Sequence, residues 1–193
     1  MTGHPVPLLG TTLVTGPSNV GKTRLTVQAL ERWLDANGPD GVVVFDFAPV
    51  VERDGTVLGG RLTQFTDVPD EVWYGVLAAH APRTDATDED GSLRLAADNA
   101  RRARQLVAAA PPAPTAVFVN DATIPFQHAD GDTQLLADYC DGATAVLNAF
   151  DSDELGATDA VSRQERASLA AFRQWADREY RLDESDTSPS SEP

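Results

Sequence analysis

Gly16-Pro17-Ser18-Asn19-Val20-Gly21-Lys22-Thr23 is the stretch on which the fold of this chain turns. It runs G-x-x-x-x-G-K-T without departure. Before it stands Gly10-Thr11-Thr12-Leu13-Val14-Thr15, rich in β-branched residues and read as a short strand. After it, Arg24 to Ala36 reads as a helix, with Leu25, Ala29, Leu30, Trp33 and Leu34 along one face. Strand, glycine loop and helix in that order make an anion-binding corner. Glycines let the backbone wrap closely around a charged group, and successive N–H groups point inward. The helix N-terminus adds the positive end of its dipole. Lys and Arg together number 15, and Lys22 is the only lysine among them. The chain keeps its one ammonium in this loop.

The octet and its flanks resemble those of the P-loop NTPases. That resemblance implies a Mg²⁺-dependent nucleotide-binding protein that cleaves or transfers the γ-phosphate of ATP. GTP is less favoured, because no N-K-x-D follows; the strand ending at Asn148 lacks the lysine. The resemblance assigns nucleotide contacts to Gly16, Pro17, Ser18, Asn19, Val20, Gly21, Lys22, Thr23 and Arg24. Lys22 is expected at the β and γ phosphates and the Thr23 hydroxyl at Mg²⁺. A second signature follows at Thr115-Ala116-Val117-Phe118-Val119-Asn120-Asp121, an apolar strand ending in an acid, as in a Walker B strand. Asp121 is expected to hold the metal. Asp46, after Val42-Val43-Val44-Phe45, competes for that role; with Asp121 on the metal, Asp46 is free to orient a water or an acceptor. Lys22, Asp46 and Asp121 form the expected catalytic set.

The pattern predicts an α/β fold, a three-layer P-loop domain with a mostly parallel sheet, spanning residues 1–182. Residues 183–193 read as a disordered acidic tail. The first strand, helix and second strand read as a βαβ unit. A small hairpin is expected over 50–58, turning at Asp54-Gly55, and a helix over 69–80 with Val72, Trp73, Val76 and Leu77 inward. Arg83 to Gly91 reads as a loop and Leu93 to Ala110 as a helix. The loop 122–128 brings Thr123, Gln127 and His128 to the strand ends, where ligands sit in open parallel sheets. A helix over 132–141, a strand over 143–148, a helix over 161–178 and a strand over 179–182 follow. Arg163 and Arg166, three apart, read either as a lid that clamps phosphates or as partners of Glu165.

Net charge is −15 and the isoelectric point about 4.4. Such acidity with almost no lysine resembles proteins of salt-accumulating halophilic archaea. It argues against a nucleic-acid partner. The cluster Arg101, Arg102 and Arg104 reads as a solvated face paired with local acids. Cys140 is the single cysteine, so an internal disulfide is excluded and a buried thiol is expected. No apolar run approaches the ~18 residues of a membrane span, and a cytoplasmic protein is expected. The expected partners are a nucleotide and either a small-molecule acceptor or a protein. An ATPase leads these readings, followed by a small-molecule kinase and a non-catalytic nucleotide-binding protein. Spacing of His4, His80 and His128 gives no metal cluster.

Overall fold

The computed structural model describes residues 5–49, 51–53, 56–58, 60–152 and 158–183. In chain order the elements are β1 (Thr11–Gly16), α1 (Lys22–Asn37), β2 (Val42–Asp46), β3 (Val51–Arg53), β4 (Thr56–Leu58), β5 (Trp73–Val76), α2 (Pro82–Asp85), α3 (Glu89–Ala109), β6 (Ala116–Asn120), α4 (Thr133–Tyr139), β7 (Thr144–Phe150), α5 (Ala160–Trp175) and β8 (Arg178–Arg181). Six strands form one sheet in the order β5-β2-β6-β7-β1-β8, every neighbouring pair parallel. Helices cover both faces, as a three-layer α/β domain requires.

Strand periodicity of two sorts the core into two clusters. Leu13, Val43, Phe45, Val117, Val119 and Leu147 face the layer of α3, α4 and α5, with Val107, Leu136, Leu169 and Phe172. Val14, Val42, Val44, Phe118 and Val146 alternate with them and face α1, with Val27 and Leu30. Near-continuous apolar runs are therefore what this doubly covered sheet demands. The same parity decides where the polar strand ends point. Asp46, Asn120 and Asn148 fall in the α1-facing series, and Asp46 is level with Asn120.

Two expectations are corrected. The stretch 69–80 is not a helix. Its centre is the edge strand β5, parallel to β2. Trp73 packs edge-on to Phe45 with ring centroids 5.4 Å apart. A Cβ on Gly75 would meet the Trp73 ring at 2.3 Å, so the indole lies over the glycine. The stretch 83–91 is not one loop. It holds most of α2 and the start of α3, whose N-cap Asp88 accepts a bond from the Gly91 amide at 2.6 Å. The βαβ unit forms, its two strands parallel in one sheet with β7 and β6 between them. The hairpin does form as β3 and β4; its turn, Asp54-Gly55, lies outside the described residues, as do residues 184–193 of the tail.

Among the described residues no helix is long and apolar enough to cross a membrane. Asp46 and Glu165 are the buried acids among them. The remaining described carboxylates lie nearer solvent, so their mutual repulsion acts on the folded state and weakens as salt screens it. We expect the melting temperature to fall as KCl is lowered from molar concentration to ~0.1 M, where the Debye length reaches ~10 Å. A flat or rising melting temperature in thermal scans across that range contradicts this.

Candidate functional site

The octet folds as a turn at the carboxyl edge of the sheet. Gly16 closes β1 at φ +151°, where a Cβ would lie 2.4 Å from the Leu182 carbonyl oxygen. Asn19 and Gly21 also take positive φ, +61° and +95°. Nothing lies within 4 Å of a Cβ placed on Gly21. The glycine is needed there for its left-handed backbone, and it leaves the loop's inner side open. Gly21 is also the N-cap of α1. No side chain caps that helix, and no acid stands in its first turn. By contrast α3, α4 and α5 are each capped by an aspartate, Asp88, Asp132 and Asp159. The one long helix without a carboxylate at its N-terminus is the one that follows the glycine loop, which keeps its dipole available to an external anion.

Lys22 is the first residue of α1 and is buried. Its ammonium bonds the Pro17 carbonyl and lies 6.0 Å from the centroid of the Phe150 ring. Ser18, Asn19, Gly21, Lys22, Thr23 and Arg24 form one wall of a cleft of about 610 Å³. The opposite wall includes Asp121, Thr123, Gln127 and Glu165. Arg24 stacks over Phe65, 5.3 Å to the ring centroid. Val20 is buried and packs toward Gly16.

The two acids of the expected catalytic set occupy different places. Asp121 follows β6 at φ +55°, a left-handed conformation that costs a non-glycine residue energy. Asn148 holds it there: its side-chain oxygen accepts the Asp121 amide at 3.0 Å, and its carbonyl accepts the Ala122 amide at 2.8 Å. Asp121 faces the cleft. Desolvation pushes its carboxyl up to about 6; the Lys22 ammonium pulls it back, and Asp46 and Glu165 add to the rise. Asp46 is fully buried and does not line the cleft. One of its oxygens accepts from the Asn120 amide at 2.9 Å and from the Ala48 N–H at 3.4 Å. The other accepts from the Leu62 N–H at 2.8 Å and the Tyr74 hydroxyl at 2.7 Å. Burial, and then that bond to Asp46, push the Tyr74 phenol well above its usual range.

Thr23 and Asp121 are not the hydrogen-bonded pair. The Thr23 hydroxyl donates to Asn120 Oδ1 at 3.1 Å. Sequence reading passed over Asn120 because it searched for a carboxylate. The signal was its parity: Asn120 stands two residues beyond Phe118 on the α1-facing side, and Asp121 falls after the strand.

A second cluster joins the expected Thr123 and Gln127 to Glu165 and adds Arg83, which the sequence did not single out. Glu165 is buried on α5 and accepts from Thr123 Oγ1 at 3.0 Å and Gln127 Nε2 at 2.9 Å. Arg83 pairs with its other oxygen at 2.5 Å. Arg83 is placed by α2, whose entry is clamped by buried Asn99: its side chain accepts the His80 N–H and donates to the His80 carbonyl. Glu165 is thus paired across the cleft, not with Arg163 or Arg166. Arg163 bonds the Thr158 carbonyl, and Arg166 lines a neighbouring cavity. Removing one partner of a buried pair strands the other charge. Arg83→Ala is expected to destabilise the fold by about 3 kcal/mol in denaturant titrations. Adding Glu165→Gln is expected to recover at least half of that loss; no recovery contradicts the pairing.

Other candidates lie apart. His128 pairs with Asp130 at 3.3 Å. Arg101 and Arg102 pair with Asp98, whose carboxyl they hold well below the usual range. Cys140 is buried, and burial pushes its thiol up to about 12. Among the described residues no group of three or more His, Cys, Asp or Glu side chains could hold a metal ion.

The sheet and helices define the class: an α/β domain with an all-parallel six-stranded sheet and a glycine turn at its carboxyl edge. No family model matches the chain, and no curated protein is significantly similar to it.

Proposed function

We propose that this chain is a P-loop ATPase of the cytoplasm, which binds Mg²⁺-ATP at residues 16–24 and cleaves its γ-phosphate. One observation carries the reading. The octet folds into a left-handed turn ahead of a helix with no capping side chain, with Lys22 drawn inside and a cleft of about 610 Å³ in front. Backbone N–H groups at such a turn and the helix dipole favour an anion, and a buried ammonium counters the β and γ phosphates. The nearby donors are hard oxygens: the Thr23 hydroxyl and the Asp121 carboxylate, both lining the cleft. They suit Mg²⁺, with phosphate oxygens and water completing its shell. Bound Mg²⁺ supplies neutralisation of charge on the phosphates.

The chain's own residues do the rest. Lys22 holds the transferred phosphate's charge. Asp121 faces the cleft, where its carboxylate would hold Mg²⁺. Asp46, with its acceptor positions filled from within the protein, acts by holding neighbours in place. The test is turnover of Mg²⁺-ATP in molar KCl, read as released phosphate. Saturable turnover that disappears when Mg²⁺ is chelated is expected; none under any salt contradicts the ATPase reading.

A specific feature favours transfer to a small acceptor as the second reading. A cavity of about 420 Å³ adjoins the loop at Pro17; Arg83, Arg166, Arg173 and Arg181 line it, with Asp151 and Glu165 among them. Phosphate release that accelerates with one member of a panel of anionic acceptors would favour it.

A further inference from the structure

We propose that Asn120 is the positioning residue for the Thr23 hydroxyl, and that the carboxylate behind it, Asp46, acts on Thr23 only through that amide. The inference rests on the nucleotide-binding reading above and concerns how that site holds its cation.

The orientation of the Asn120 amide follows from its partners. Its nitrogen donates to Asp46 Oδ1 and to the Gly60 carbonyl, each at 2.9 Å. Both are acceptors only, so the amide cannot be turned round without placing oxygen against oxygen. Its oxygen then faces Thr23 Oγ1 at 3.1 Å and Asn148 Nδ2 at 2.9 Å, both donors. Asn148 Nδ2 bonds Thr26 Oγ1 as well, at 2.9 Å, so the row is fastened to α1 at two turns. With its hydrogen committed to Asn120, the Thr23 hydroxyl presents its lone pairs elsewhere. Asp46, Asn120 and Asn148 are all fully buried, and Asp46 is saturated by donors. The charge nearest Thr23 in this row is therefore screened by an intervening neutral amide.

The arrangement has a counterpart that keeps most of these hydrogen bonds. In the double variant Asp46→Asn/Asn120→Asp, the new amide at 46 donates to the new carboxylate at 120. Its oxygen still accepts from Leu62 and Tyr74. The carboxylate still accepts from Thr23 and Asn148. The bond to Gly60 and the long one from Ala48 become an oxygen–oxygen and a nitrogen–nitrogen contact, which the backbone at Gly60 and Ala48 must shift to relieve. Net charge is unchanged, yet the negative charge now touches the threonine.

The experiment measures equilibrium binding of ATP to the full chain in molar KCl, with Mg²⁺ and with chelator, and takes the ratio of the dissociation constant in chelator to that in Mg²⁺. We expect the swapped chain to show a ratio at least about tenfold larger than the wild type. A swapped chain that folds and binds with an unchanged or smaller ratio overturns the proposal. Failure of the wild type to bind ATP in either condition refutes instead the nucleotide reading on which it rests. Should the swapped chain not fold, Thr23→Ala and Asn120→Ala are compared singly and together. Non-additive effects on the ratio uphold the Thr23–Asn120 link, and additive effects overturn it.

Discussion

Replacing Lys22 by alanine is expected to lower ATP turnover by about 10²–10³-fold, the scale seen when one preorganised partner of developing charge is removed. The ammonium lies inside the loop, bonded to the Pro17 carbonyl, within reach of whatever occupies the turn. No other lysine exists in the chain to substitute for it. The side chain leaves α1 at its first residue, outside both hydrophobic clusters, so its removal opens no gap in the core. Circular dichroism and melting temperature should stay close to those of the wild type. Undiminished turnover in a folded Lys22→Ala protein contradicts the assignment.

The second large effect belongs to Asp121, and it moves activity and stability in opposite directions. Folding desolvates this carboxyl and raises it from its ordinary value to about 6. A carboxyl raised on folding binds its proton more tightly in the folded state. Its ionisation therefore costs stability, progressively as pH rises from about 4 to about 6, and the loss persists above that window. Asp121→Asn removes the cost and is expected to stabilise the protein by about 1–3 kcal/mol near neutral pH. The same substitution should reduce turnover by at least about 10²-fold. In the wild type, turnover should climb with pH through about 6 as the carboxylate forms. Denaturant titration and a pH–rate profile of both proteins check the pair of expectations. An Asp121→Asn chain that is destabilised, or that keeps its turnover, contradicts them.

Such opposition between stability and function is what a strained, desolvated acid at a cleft would produce. Asp121 carries both signs, the left-handed φ and the raised carboxyl. Glu165 is buried, but it is met by Arg83, Thr123 and Gln127. Its position is that of a fastener between α5, the loop after β6, and α2.

Much of the fold was legible because parallel strands covered on both faces write themselves as apolar runs. Val42 to Phe45 and Ala116 to Val119 are such runs, and each closes on a polar residue at the carboxyl edge. The glycine loop declared itself through residues that tolerate little substitution of backbone geometry, Gly16 and Gly21. The stretch 69–80 misled because Val72, Trp73, Val76 and Leu77 satisfy a helical spacing as well as they fit an edge strand. What decides is that Trp73 folds over Gly75 and onto Phe45, contacts that exist only after β2 and β5 pair. Strand order was not legible either. Nothing local to β7 says that it inserts between β1 and β6. That insertion sets Asn148 between the loop strand and Asn120, and so builds the polar row beneath Thr23.

The side chain that bonds Thr23 stands one residue before the expected acid, for the same kind of reason. Adjacent positions on a strand point to opposite faces, so Asn120 and Asp121 cannot share an environment while both remain extended. The chain resolves this by ending the strand at Asn120 and turning Asp121 left-handed into the cleft. Sequence alone names both residues without saying which meets Thr23.

The most direct test of the central claim is calorimetric titration of the full chain with ATP and Mg²⁺ in molar KCl, repeated with Lys22→Ala. The account predicts a saturable one-site isotherm for the wild type, abolished by inorganic pyrophosphate in excess, and at least about tenfold weaker binding for the variant. A wild-type protein that is folded by circular dichroism yet gives no binding heat at any temperature tried, or a variant that binds as tightly as the wild type, would contradict it.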